Sequence, residues 1–255
     1  DKVLANKATT PSQYDSLEIN WQTLGSEEAR KYFRDVLDYS FIEPGYLKGK
    51  SVIDIGSGVG HLFGWLKDKG AVAVTGIDPA TKNIAASKEK YPWATSVVAT
   101  LADFAKENKE VFDVAISILA FEHIQDLNEG FHHVNSLLQA GGRFYLIVCD
   151  KDYSISNDRE LRSPGFVSVE VVNDLGNDTV ESKTVRSLID GSSSTMYDVF
   201  RPIEQVRAAA QANHFNLFAE KTLMSATAVP VPMLYVLGFQ KSVEVIHFSL
   251  SGVGI

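Results

Sequence analysis

Cysteine is almost missing from this chain: Cys149 is the single one in 255 residues. That excludes an internal disulfide and every zinc site built on a Cys pair. Positive charge is in deficit, with 24 Lys and Arg against 32 Asp and Glu and a net charge of −8, so no broad basic face is expected for nucleic-acid phosphates. No apolar run is long enough to span a bilayer, and the first residues, DKVLANKATTPSQ, are polar rather than leader-like. No internal repeat or low-complexity linker interrupts the chain. The expectation is a soluble, cytoplasmic protein with no stable membrane insertion and no nucleic-acid partner. Its 45% apolar content is enough for the core of one large α/β domain.

Glycine, in contrast, is concentrated at one informative place. Residues 51–60 read SVIDIGSGVG. Val52, Ile53 and Ile55 form a short buried-type strand with Asp54 near its carboxyl end, and Gly56, Gly58 and Gly60, with Ser57 between them, allow the backbone to turn sharply against a ligand. A dinucleotide fingerprint requires G-x-G-x-x-G, and counting from Gly56 the third glycine's place holds His61. No GK[ST] follows these glycines, so a P-loop is excluded too. A second strand, AVAVTGI at 71–77, ends in Asp78, eighteen residues past Gly60. An acid there can accept hydrogen bonds from both hydroxyls of a ribose, or cap the next helix, or do both. Pro79 reads as a first-turn residue of that helix.

With its acid ahead of GxGxG, the segment VIDIGSGVG resembles the first motif of the class I S-adenosylmethionine (SAM) dependent methyltransferases. The likeness continues in FDVAISILAFEHIQD and in LLQAGGRFYLIV at 137–148, where Phe112, Asp113, Glu122, His123 and Gly141-Gly142 match and Ala140 stands where proline is common. The wording is nearest to the ubiquinone-biosynthesis type of O-methyltransferase, in which the strand-four phrase ends E-x-x-E-H. Leu119 replaces the first of those glutamates, and Glu122 with His123 is too small a set for a divalent metal, so no metal is expected.

Alternating strand and helix patterns predict a parallel sheet with right-handed crossovers, and the resemblance implies its form. It is an α/β, Rossmann-like, seven-stranded, mostly parallel sheet with helices on both faces and an antiparallel last strand. An N-terminal helical cap is expected over 1–48, with a helix at 16–39 on the apolar positions Leu17, Trp21, Leu24, Tyr32, Phe33, Val36 and Leu37. The SAM-binding core takes 49–150, its helix at 127–139 closing at Gly141-Gly142. An acceptor-side insertion, or lid, takes 151–201, with a hairpin pairing 166–172 and 179–185 around NDLGND. A helix from Ile203 to Ala212 and strands at 217–224 and 233–240 complete the fold, with the final pair antiparallel at the edge. Residues 242–255 have no assignment.

For the cofactor SAM, with S-adenosylhomocysteine as product, the resemblance implies Asp54 ordering the loop and attracting the ammonium end. The N–H groups of Gly56 to Gly60 suit the ribose edge and carboxylate, and Asp78 suits the ribose. Thr100, Leu101 and Ala102 line the adenine, with Asp103 a weaker side-chain partner, and Ile118 and Leu119 face the methionine portion. His123, just past the strand-four tip, is the candidate base for an acceptor hydroxyl, or it packs the loop. Tyr153, Tyr197 and Arg201 are the candidate contacts for a small-molecule acceptor, and Arg201 has the alternative of tying the insertion to the core. His61, His132 and His133 read as first-turn, surface or packing residues. The expected activity is methyl transfer to an oxygen or nitrogen. A non-catalytic SAM-binding protein, a nicotinamide oxidoreductase, and a protein or lipid acceptor remain as alternatives.

Overall fold

Strand β1, Ser51–Ile55, is buried at every residue after the first, because it lies between two parallel neighbours and both its faces are covered by other elements. That position explains why it reads as a continuous apolar run apart from Asp54. The computed structural model describes residues 27–159, 166–187 and 193–243. Around β1 it builds a seven-stranded sheet from β2 (Ala73–Asp78), β3 (Thr95–Val98), β4 (Phe112–Ile118), β5 (Leu138–Cys149), β9 (Phe215–Met224) and β10 (Pro232–Lys241), in the order β3-β2-β1-β4-β5-β10-β9. The first five strands are mutually parallel, and β10 runs antiparallel to both β5 and β9. The antiparallel last strand is therefore internal, and β9 takes the edge that the sequence pattern assigns to the pair. Strand order reverses between β1 and β4, which opens a crevice at their carboxyl ends.

Alternation along the strands sends side chains to two apolar layers. Ile53, Ile55, Phe144, Leu146 and Val148 join one layer, and Val52, Tyr145 and Ile147 join the other. The first layer is centred on rings, with Phe131 edge-on to Phe121 at 5.5 Å and to Phe239 at 5.6 Å between centroids. Helices α1 (Glu27–Ser40), α2 (Phe63–Asp68), α3 (Thr81–Lys90), α4 (Leu101–Glu107), α5 (Leu127–Leu137) and α7 (Ile203–Ala212) accompany the sheet. None of the described helices is long and apolar enough to cross a membrane.

The structure differs from the sequence expectations in several places. Of the predicted helix at 16–39, only 27 onward is described, so Leu17, Trp21 and Leu24 lie outside the described residues, as do residues 244–255 of the tail. Helix α5 stops at Leu137, and Gly141-Gly142 belongs to β5 rather than to a helix cap. The pair serves the entry bend of that strand: Gly141 has φ +74°, and a Cβ at Gly142 would sit 2.9 Å from the Gln139 carbonyl oxygen. Helix α3 starts at Thr81 with Ala80 as its N-cap, so Pro79 precedes the helix instead of opening it.

The insertion carries a short helix α6 (Lys151–Ile155) and a second, three-stranded antiparallel sheet of β6 (Phe166–Gly176), β7 (Thr179–Ser187) and β8 (Ser193–Phe200). The β6–β7 hairpin turns at Asn177 and Asp178, both at positive φ, the conformation a tight two-residue hairpin loop requires. Strand β8 is absent from the sequence reading, because YDVF shows neither clean alternation nor a turn signal.

Candidate active site

The crevice is assembled from the carboxyl ends of β1 to β4. After Ile55 the chain turns through Gly56, Gly58 and Gly60 at φ +74°, +54° and +80°. The N–H groups of Gly56 and Ser57 both donate to the Ile77 carbonyl, at 2.9 and 3.0 Å, and that of Gly58 donates to Oδ2 of Asp78 at 2.9 Å. The loop is thus folded back onto the tip of β2 by its own backbone. Gly56 also meets the tip of β4, where an added Cβ would come within 2.3 Å of the Ala120 methyl.

Asp78 also ties down the approach to α3 without capping it: its Oδ1 accepts from the N–H of Ala80, the N-cap residue, at 2.9 Å and from the Asn83 side-chain amide at 3.3 Å. These three bonds use most of the roughly four lone-pair positions of a carboxylate, leaving about one for a ligand. Asp54 lies beneath the loop, buried, and its carboxyl is pushed up to about 7 by burial and by the neighbouring charge of Asp78. Burial raises Asp78 as well, against the hydrogen bonds that hold it ionised. Ser57 Oγ is buried with no hydrogen-bond partner among the described residues.

On the β3 side, Thr100 caps α4 by accepting from the Asp103 N–H at 3.1 Å, and its hydroxyl donates to the Asp103 carboxylate at 2.7 Å. Leu101 packs in the same apolar layer as Ile55 and Ile77, and Ala102 is exposed. At the tip of β4, Ile118 is half-buried and Leu119 holds φ +53°. That left-handed conformation is costly for a bulky residue and concentrates at functional positions. It is held by the Leu119 N–H donating to the Ile147 carbonyl at 2.9 Å.

Past this tip, Phe121–His123 forms one 3-10 turn. Glu122 is buried against the end of β5: Oε1 accepts the Cys149 N–H at 2.7 Å, Oε2 has no hydrogen-bond partner among the described residues, and burial raises its carboxyl. His123 places Nε2 3.4 Å from Oδ1 of Asp198 on β8. Burial pushes Asp198 up to about 7, with Arg186 pulling the other way. Arg201 is buried, and burial lowers it to about 10. Its guanidinium donates to the carbonyls of Val199, Phe121, Ile124 and Gln125, so it clamps the strand-four turn to the base of the inserted sheet.

Tyr153 is half-buried in α6, its N–H on the Asp150 carboxylate at 2.8 Å. Tyr197 is half-buried on β8, opposite Lys183. Strand alternation puts Tyr197 on the other face from Asp198, so Asp198 is the member of that pair that meets the strand-four turn. Asp198, Asn83 and Ala120 escape the sequence reading, and only the alternation of a recognised β8 would have singled out Asp198.

A family model described as "Methyltransferase domain" matches residues 25–227. The chain belongs to this methyltransferase family. The ubiquinone biosynthesis O-methyltransferase of Vibrio vulnificus is 28% identical over 120 residues, 46% of this chain and 51% of that protein. Its namesake in Paramagnetospirillum magneticum is 34% identical over 110 residues, 42% and 43% of the two chains. This methyltransferase domain thus spans about half the length of the curated relatives it matches. A SAM-dependent methyltransferase from Clostridium acetobutylicum shares its fold with a TM-score of 0.62 at 13% identity, over 87% of this chain and 94% of the other. One from Mesorhizobium loti gives 0.57 at 19% identity, over 85% and 99%.

Proposed function

We propose that this methyltransferase domain moves the methyl group of SAM to an oxygen or nitrogen of a small-molecule acceptor, releasing S-adenosylhomocysteine. The observation that carries the reading is the acidic pair Asp54 and Asp78 under the glycine loop: two buried carboxyls, one pushed up to about 7. Such a site favours a ligand that brings positive charge and hydroxyl groups together. The unpartnered Ser57 Oγ and the remaining acceptor position of Asp78 fit that ligand. SAM supplies a methyl group on a sulfonium that is already a good leaving group.

The chain's own residues bind and align. Asp54 faces the ammonium end, Asp78 takes the ribose edge, and Thr100, Leu101 and Ala102 bound the adenine. Ile118 and the strained Leu119 bound the methionine portion. Most of the rate then comes from alignment and exclusion of water, with His123 as the base for an acceptor hydroxyl. Tyr153 and Tyr197 are the candidate acceptor contacts, and Arg201 acts by holding the strand-four turn to the base of the inserted sheet. The net charge of −8 favours a small molecule over nucleic acid. Calorimetry with SAM and with NADH, followed by incubation with labelled SAM and a metabolite extract, tests the proposal. Binding of SAM with label transfer is expected, and binding of NADH instead, or failure to bind SAM or its product, refutes it. Binding without transfer to any acceptor leaves a non-catalytic SAM-binding protein.

The acidic pair carries a pH prediction. The Asp54 carboxyl ionises near 3.8 in the unfolded chain and near 7 in the folded one, so its contribution to stability is full below 3.8 and lost as pH rises to about 7. A bound cation favours the carboxylate. SAM is therefore expected to bind more tightly as pH rises through about 7, and to release a proton on binding at about pH 6. Calorimetry in buffers of different ionisation heat reads this release, and Asp54→Asn is expected to abolish it.

A further inference from the structure

We propose that Asp198 is the positioning residue for His123, and that the pair forms only because the inserted sheet is clamped onto the strand-four turn. The inference rests on the reading of His123 as the acceptor-side base.

Three features converge on it. Nε2 of His123 lies 3.4 Å from Oδ1 of Asp198, with the two side chains 20% and 14% exposed. That separation is slightly longer than a formed hydrogen bond, as catalytic contacts often are before a substrate is loaded. The backbone on both sides of the pair is pinned by one group, since Arg201 donates to the carbonyls of Phe121, Ile124 and Gln125 around His123 and to that of Val199 beside Asp198. Finally, Asp198 lies in register with Ser182 on β7, whose Oγ is buried and without a hydrogen-bond partner among the described residues. No bond from that hydroxyl turns the carboxyl away from the imidazole.

Above about pH 7, where the Asp198 carboxyl is ionised, its place facing Nε2 fixes the tautomer: Nε2 carries the proton and Nδ1 keeps its lone pair. As the acceptor oxygen's lone pair forms the bond to the methyl carbon and the C–S pair returns to sulfur, the hydroxyl proton passes to Nδ1, and the carboxylate steadies the imidazolium so formed. The other charged groups described around the pair are Asp78, which feels the charge of His123, Glu122, beside His123 with Oε1 held by the Cys149 N–H, Arg186 further along β7, and Arg201.

The test uses the full chain with Asp198→Asn, His123→Gln and both together. NMR titration of the His123 ring in the ligand-free protein reads the pair independently of turnover. In Asp198→Asn its pKa is expected to fall, by on the order of one unit, because a carboxylate neighbour favours the charged ring. SAM affinity, measured by calorimetry, is expected to stay within about twofold, which also reports that the fold is intact. Label transfer from SAM into a metabolite extract is expected to drop about 10- to 100-fold in each single variant. The double variant is expected to be no slower than the worse single one, since the two groups act as a unit. An unmoved titration overturns the pair. A titration that moves while transfer is unchanged in both single variants overturns the reading of His123 as base and the catalytic use of the pair with it.

Discussion

Asp78→Ala is expected to weaken SAM binding by about 100-fold or more, because one side chain organises three separate parts of the site. Its carboxylate holds the Gly58 N–H of the glycine loop, the Ala80 N–H at the start of α3, and the Asn83 amide within α3. Hydrogen bonds to a charged acceptor are worth about 1.5–3 kcal/mol each, and about 1.4 kcal/mol corresponds to a tenfold change in affinity. Losing the ribose contact together with part of the loop's order therefore reaches two decades without any further effect. The substitution also removes a carboxylate that burial makes unfavourable, so the unfolding midpoint is expected to move less than the affinity. Calorimetry and thermal unfolding on the same protein separate the two, and unchanged SAM affinity refutes the ribose role.

Gly56→Ala is expected to remove measurable SAM binding and to destabilise the fold by about 2–6 kcal/mol, from left-handed strain and overpacking of about 1–3 kcal/mol each. Both causes are visible in the structure. The residue sits at φ +74°, where a side chain is strained, and a Cβ would lie 2.3 Å from that of Ala120. The second cause can be removed alone: adding Ala120→Gly relieves the clash and leaves the strain. The double variant is expected to recover part of the stability, and no recovery at all would show that contact with the β4 tip is not what limits position 56.

Much of the glycine-loop half of the candidate site was legible in the chain as a set of neighbouring groups, and for a local reason. An acid inside an apolar strand, three glycines after it and a second acid at the end of the next strand are separated by few residues, and β1 pairs directly with β2. The spacing of Asp54, Gly56 and Asp78 therefore translates into proximity with little else to decide. The half built where the inserted sheet meets the strand-four turn was less legible. His123 and Asp198 are 75 residues apart, and their approach depends on three strands pairing in a separate sheet and on Arg201 reaching carbonyls on the opposite segment. Gly141-Gly142 was misleading as a helix stop because a glycine pair serves a helix end and a strand bend equally well by its local preferences. Only the tight space beside the Gln139 carbonyl distinguishes them.

By itself the sequence determined the strand–loop–helix start, the succession of parallel strands and the identity of the groups under the glycine loop, because strand period, glycine placement and short spacing act over a few residues. The tertiary structure alone decided that Asp198 rather than Tyr197 meets His123, that β10 lies inside the sheet while β9 takes its edge, and that burial holds Asp54 near neutrality. Each of these depends on which distant segments exclude water from one another, and no local pattern records that.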